Sequence, residues 1–313
     1  MKGKKFLIFI LMLVLISSFY INFKLSTFEN DVRDEILRLR IFRYILALFT
    51  GMVLTTSGAV MQIIFKNPLL DPYVLGISGG GLFGFVLAST FFKGNLLVSI
   101  LFSFLFSIIS SLISLSFSLN IKGDKKVSIL ISGLLVNILF SSLVIIFSIL
   151  SKNDITYLFY ALMGSLNHIF LSSNLYIYIF LSLTLISTFL FIFFKSRELD
   201  IISIDEDIAK TSGVNVKRDF ILILLVLIYQ TSLIVSFVGI IGFVGIIIPN
   251  ILRISGVLKS RDLILYSFAG GGFLILFADF ISKYSFSFEL PIGVVLSLFS
   301  LPFLFIIVKK NFE

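Results

Sequence analysis

Catalysis needs a nucleophile with a base, a pair of carboxylates or a set of metal ligands, and this chain of 313 residues is poor in all three. Cysteine is absent and histidine occurs once, as His168, which excludes thiol chemistry, zinc clusters and a histidine-rich metal site. Two acids stand out. Asp279 lies inside an apolar run, and Glu289 precedes Pro291 at the start of the last one. An ionisable group at membrane depth is costly and marks a candidate proton pathway. The structural alternative places both acids near an outer interface, with Lys283 close enough in sequence to compensate them. The glycine-rich stretch 76–84, GISGGGLFG, lacks the Lys-Ser/Thr ending of a nucleotide-binding loop. Small residues there let neighbouring helices approach, and a glycine-interrupted helix can also line a substrate path.

The elements that must carry these residues follow from composition. Hydrophobic residues make up 58% of the chain and charged ones 13%, with a mean hydropathy of +1.13. A soluble domain needs about 25% charged residues to keep its surface hydrated, so most of these side chains require lipid as solvent. Apolar runs fall at about 6–23, 41–64, 72–92, 95–119, 127–150, 172–194, 219–238, 240–256, 263–281 and 291–308. Each approaches the ~20 residues that cross a hydrocarbon core of about 30 Å. Their unbroken apolarity rules out barrel strands, so an all-α membrane protein of about ten spans is expected. The run 6–23 follows Lys2, Lys4 and Lys5 but is too long for a signal peptide and is read as a retained first span. The boundary near Gly239 is the weakest, where one bent segment could replace two.

The net charge of +8 belongs to the loops rather than to a nucleic-acid surface. With both termini in the cytoplasm, most of the 25 basic residues fall inside, among them Lys66, Lys125, Lys195, Lys217, Arg253 and Lys309. The cluster Arg33, Arg38, Arg40 and Arg43 breaks that pattern. The cytoplasmic connection 195–218 reads as a short helix, with Ser203 as N-cap, Asp205, Glu206 and Asp207 in its first turn and Gly213 as its stop. An outer connection, 151–171, carries Tyr157, Phe159, Tyr160 and His168 and suits the membrane interface. NPLLDP, 67–72, is a tight turn set by its two prolines.

Several of these blocks occur together in one known pattern. The string RLRIFRYILALFTGMVLTTSGAVMQIIFKNPLLDPYVLGISGG closely resembles the second and third spans of the permease family of ABC importers for iron-siderophores, haem and cobalamin. DEDIAKTSGVNV, GIIGFVGIIIPNILRISG, FADF and ELPIGVVLSLFSLPFLF agree with later blocks of that family in the same order, so the resemblance covers nearly the whole chain. Three departures are visible. Phe42 stands where members often have Pro, Asn250 where they usually carry His, and GISGGG replaces the commoner Gly-Ile-Ser-Ser-Gly-Ala.

The resemblance implies a type II ABC importer permease: a single membrane domain over 1–313, with a cytoplasmic coupling segment at about 196–218. It implies a homodimer in the cell membrane that binds two ATPase subunits inside and an extracytoplasmic substrate-binding protein outside. The permease would be non-catalytic, with no metal or covalently bound cofactor; ATP is used by the partner subunit. Asp205, Glu206, Ala209, Gly213 and Val214 are the implied ATPase-coupling positions. Arg40, Arg43 and Lys283 are the implied docking positions for the binding protein, which gives the outer arginines a purpose. Gly76, Ser78, Gly79, Gly80 and Gly81 are expected to serve the translocation path or helix packing. The cargo would be an iron-siderophore or haem, with cobalamin also within range. The competing class is an ion-coupled secondary transporter using Asp279.

Overall fold

The structure, a computed structural model, describes residues 17, 20, 21, 30–92, 95–121, 123–151, 163–166, 175–204, 215–285 and 289–312. Among these residues there are ten α-helices and one 3-10 turn: α1 (Asn30–Phe65), the turn Pro72–Leu75, α2 (Ile77–Phe91), α3 (Leu96–Asn120), α4 (Lys125–Ser151), α5 (Leu175–Phe194), α6 (Ser196–Ile204), α7 (Val216–Val238), α8 (Val244–Ile254), α9 (Ser260–Tyr284) and α10 (Ile292–Phe312). Six helices are long and apolar enough to cross a membrane, and three shorter apolar ones begin at Ile77, Val244 and Ile292. Nine of the ten expected runs therefore contain a described helix. The first, 6–23, lies outside the described residues except for 17, 20 and 21.

α1 is the central element. Its 36 residues rise about 54 Å, far more than the ~30 Å of a hydrocarbon core, so about seven turns' worth of apolar sequence is preceded by a polar extension. That extension, NDVRDEILRLR, begins eleven residues before the expected run because its Glu, Leu and Arg are good helix formers and water satisfies its first turn. α1 packs antiparallel on α9 with the two backbones in contact. A Cβ on Gly51 would sit 1.9 Å from the Gly271 carbonyl oxygen, and one on Gly271 would sit 2.1 Å from Thr55 Oγ1. Thr55 donates to the Ser267 carbonyl at 2.7 Å. Each step along α1, from Arg43 to Gly51 to Thr55, is matched by an equal step back along α9, from Asp279 to Gly271 to Ser267.

The glycine stretch makes the second close crossing. A Cβ on Gly80 would meet Ser110 Oγ at 2.1 Å, and one on Gly84 would meet the Phe102 carbonyl at 2.3 Å. The facing stripe of α3, Ser103, Ser107, Ser110, Ser111 and Ser114, is fully buried. Ser110 donates to the Gly76 carbonyl at 2.7 Å and Ser107 to that of Ile77 at 3.2 Å, so hydroxyls satisfy groups that lipid could not. By contrast α4 and α5 present Leu134, Leu135, Ile138, Leu139, Leu183 and Phe194 outward. Such a surface suits hydrocarbon and not water.

Two spans are broken. α2 follows the Asp71-capped 3-10 turn, and Gly76 between them takes a φ of 94°. α7 and α8 are separate helices joined through Gly239 (φ 76°) and Phe243 (φ 68°), which decides the boundary that the sequence left open. The expected N-cap role of Ser203 is not what the structure shows. Ser203 lies in the last turn of α6, donating to the Asp200 carbonyl at 2.7 Å; the remainder of the expected short helix, 205–213, lies outside the described residues. Asp200 instead caps α9 through the Ser260 N–H at 2.8 Å. Most of the outer connection 151–171 lies outside the described residues; Leu166 is buried, and Ser165 donates its N–H to the Val238 carbonyl at 2.8 Å.

Candidate functional site

Polar side chains gather at both ends of α1. At the start of its apolar part, beyond the polar extension, Arg43 sits about 33 Å of helical rise from Phe65, just over one hydrocarbon thickness. Its guanidinium grips Asp279 as a fork: Nη2 lies 2.7 Å from Oδ1 and Nε 3.0 Å from Oδ2. Asp279 is wholly buried and also accepts from the Tyr20 hydroxyl. The remaining guanidinium edge, Nη1, reaches Glu289 at 3.3–3.4 Å, and that carboxylate is 36% exposed. Glu289 is followed by Leu290, whose N–H donates to the Ser282 carbonyl at 3.2 Å while its own carbonyl accepts from the Ser282 hydroxyl. The partner of Asp279 is thus Arg43 and not the sequence-near Lys283, which lies over the Tyr284 ring at 5.6 Å. Helix geometry explains this. Lys283 lies one turn further along the same side of α9, nearer its C-terminal end, whereas the antiparallel register delivers the Arg43 guanidinium directly to Asp279.

Arg40 is 5% exposed and donates to the Ile21 carbonyl at 3.0 Å, tying α1 to the preceding segment. Ser17 and Tyr44 share a hydroxyl hydrogen bond of 2.7 Å on the same side. Of the expected docking positions, then, Arg40 and Arg43 are largely internal, and Lys283 is partly buried beside them.

At the other end α1 delivers Gln62 to the NPLLDP turn. Its amide donates to the Leu70 carbonyl at 3.2 Å and to that of Gly245 at 3.0 Å, and its Oε1 accepts from Arg253 Nη1. Asn250 donates to the Pro68 carbonyl and to that of Ile246, each at 2.8 Å. Asp71 accepts from the Tyr73 N–H at 3.2 Å and faces the amino end of α8 beside Gly245. Burial pushes its carboxyl up to about 7, against the opposing pull of the Tyr73 and Gly245 N–H groups. The Tyr73 hydroxyl accepts from the Ile241 N–H at 3.2 Å, which reaches the α7–α8 break. Asn137 of α4 donates to the Tyr73 carbonyl at 2.9 Å and accepts from Gly79 N–H at 2.9 Å and Ser78 Oγ at 3.1 Å. The turn is a hub joining α1, α2, α4 and α8.

Gly76, Ser78, Gly79, Gly80 and Gly81 all lie on this hub or its α3 crossing, and every one of the five except half-buried Ser78 is buried. The coupling positions Asp205, Glu206, Ala209, Gly213 and Val214 lie outside the described residues. On either side of them Lys195 bridges Glu198 and Asp219, each at 3.1 Å, and so holds α6 against the start of α7. Gln62, Tyr73, Asn137 and Arg253 were not singled out from sequence. A lone Gln or Asn in an apolar run, as in AVMQIIF and LLVNILF, is costly enough at membrane depth to have marked the first and third.

Neither junction brings a nucleophile to a base, and no group of three or more His, Cys, Asp or Glu residues able to hold a metal occurs among the described residues. What the two junctions can do is fix helix ends and change partners. Broken spans, small-residue crossings and polar groups at the margins of a long apolar helix mark a polytopic helical membrane protein. The model of the FecCD transport family matches residues 5–310, and the chain belongs to that family. It is 32% identical over 270 residues, 86% of this chain and 80% of the relative, to a Helicobacter pylori protein named as a probable iron chelatin transport system permease. It is 30% identical over 278 residues, 88% of this chain and 82% of the relative, to the vitamin B12 import system permease BtuC of Pectobacterium atrosepticum. A metal-chelate type ABC transporter solved in an inward-facing conformation superposes with a TM-score of 0.88 at 26% identity, covering 98% of this chain and 99% of that one. PsaBC of Streptococcus pneumoniae shares the fold with a TM-score of 0.60 at 22% identity, covering 86% of this chain and 90% of that one. The architecture is that of a type II ABC importer permease.

Proposed function

We propose that the chain is the membrane subunit through which a metal chelate, an iron-siderophore or haem before cobalamin, enters the cytoplasm by alternating access. The observation that carries this is the near-complete superposition on a metal-chelate type transporter in an inward-facing conformation. Two copies enclose the path in the cell membrane with all termini inside, a placement supported by the basic inner loops. The chain performs no chemistry and holds no covalent cofactor; ATP is bound and hydrolysed by two partner subunits. These seat on the segment containing Asp205, Glu206, Ala209, Gly213 and Val214, which the α6–α7 clamp at Lys195 supports from both sides. A substrate-binding protein docks outside near Arg40, Arg43 and Lys283. The path begins along the hub that carries Ser78 and Gly79.

The test is uptake of a labelled ferric siderophore, haem and cobalamin into proteoliposomes that hold the permease, its ATPase and its binding protein. Uptake of one of these should require ATP, and Glu206→Lys with Ala209→Arg should abolish it together with ATPase docking. Uptake that survives loss of the ATPase but collapses with the proton gradient would overturn the proposal in favour of ion coupling.

A further inference from the structure

The outer end of α1 carries two carboxylates on one guanidinium, and they are held very differently. Asp279 is fully buried, forked at 2.7 and 3.0 Å, and hydrogen-bonded by Tyr20. Releasing it would strand a charge in the interior. Glu289 lies at 3.3 Å or more from Arg43 Nη1, at the margin of a hydrogen bond, with a third of its side chain in water. Its hold on Arg43 is the weaker of the two, because a partly exposed ion pair contributes less than a buried one.

The surrounding charge is close to balanced. Among the described residues Arg33, Arg38, Arg40, Arg43 and Lys283 stand against Asp34, Glu35, Asp279 and Glu289, with Arg40 buried and Arg43 already holding its two acids. An acidic partner therefore gains little from this surface unless a resident carboxylate leaves. Resting on the reading that an acidic binding protein docks here, we propose that Glu289 is an internal stand-in for a carboxylate of that protein. On docking the incoming acid takes Arg43 Nη1, Glu289 swings into water, and the Asp279 fork keeps the guanidinium aimed. Leu290 remains clamped to Ser282, so the exchange is confined to one side chain and works by competition, raising the dissociation constant of the docked pair.

The test uses the full permease–ATPase complex in nanodiscs, titrated with its own substrate-binding protein, for the wild type, Glu289→Gln, Arg43→Lys and the double variant. Glu289→Gln should bind roughly threefold to fivefold tighter, the scale of one partly exposed ion pair. Arg43→Lys, which keeps the charge but loses the fork, should bind more weakly and should abolish the gain from Glu289→Gln. Unchanged or weaker binding by Glu289→Gln overturns the exchange, whether or not Arg43→Lys folds. If Arg43→Lys weakens binding in that case, the docking reading survives alone. If a folded Arg43→Lys binds like the wild type, the docking reading fails as well.

Discussion

Arg43 of α1 and Asp279 of α9 meet as a two-pronged ion pair between residues 236 positions apart, at one margin of the apolar span. Removing one partner leaves the other charged and buried, a loss of about 3–5 kcal/mol in comparable buried pairs. Asp279→Ala should therefore lower the thermal midpoint of the purified protein strongly, whereas Glu289→Gln should change its stability by less than about 1 kcal/mol. Replacing both members, Arg43→Met with Asp279→Leu, should recover much of the loss. Equal effects of Asp279→Ala and Glu289→Gln in a detergent melting series would contradict the burial difference on which this rests.

Gly51 has no room for a side chain, since a Cβ would lie 1.9 Å from a backbone oxygen of Gly271. Gly51→Val must push α1 off α9, and it should leave little monodisperse protein after extraction. Gly242, with nothing within 4 Å of its hypothetical Cβ, should accept Ala with a stability change within about 0.5 kcal/mol. Size-exclusion profiles of the two variants make the comparison.

Asn250 supplies two hydrogen bonds that no apolar residue can replace. Asn250→Ala should cost about 1–2 kcal/mol by losing the bond to Pro68 and that to Ile246. Asn250→His, the residue that the family resemblance leads one to expect there, keeps a donor for Pro68 and should retain transport. Thermal melting and uptake assays on both variants check the contrast.

The Asp71 carboxyl is raised to about 7 from 3.8, chiefly by burial. A raised acid makes folding favour the protonated form, so the penalty is absent below about pH 4, grows as pH rises through the interval and is complete above about 7. Asp71→Asn removes that penalty. It should raise the melting temperature at pH 8 by a few degrees and by only a small part of that at pH 4.5. A stabilisation independent of pH would sink this account.

The spans were legible because lipid demands continuous apolarity, and that demand is written residue by residue in the runs from 41–64 to 291–308. The helix ends were not. α1 extends beyond its apolar run through NDVRDEILRLR, where Val32, Ile36, Leu37 and Leu39 are too sparse among charges to read as a span, and α6 forms over Ser196–Ile204, where SRELDIISI carries no apolar run. Composition could place Asp279 at an outer boundary but not choose its partner. Only the antiparallel register of α1 on α9 sets Arg43 against it in preference to Lys283. The NPLLDP turn looked like a connection and proves to be a hub, because Gln62, Asn137 and Asn250 reach it from helices distant in sequence. The coupling positions 205–214 were named from resemblance, and they lie outside the described residues.

The matched steps of α1 and α9 make the two helices a single stiff beam, because glycine backbones in contact leave no layer of side chains to shear. Gln62 and Arg43 lie about 29 Å apart along α1, so a tilt of about 5° pivoted at the Gln62 end carries the Arg43 end sideways by about 2.5 Å, half the pitch of a helical turn. The beam would serve as a mechanical linkage between the two faces of the membrane, with its pivots in the glycine-broken segments on either side.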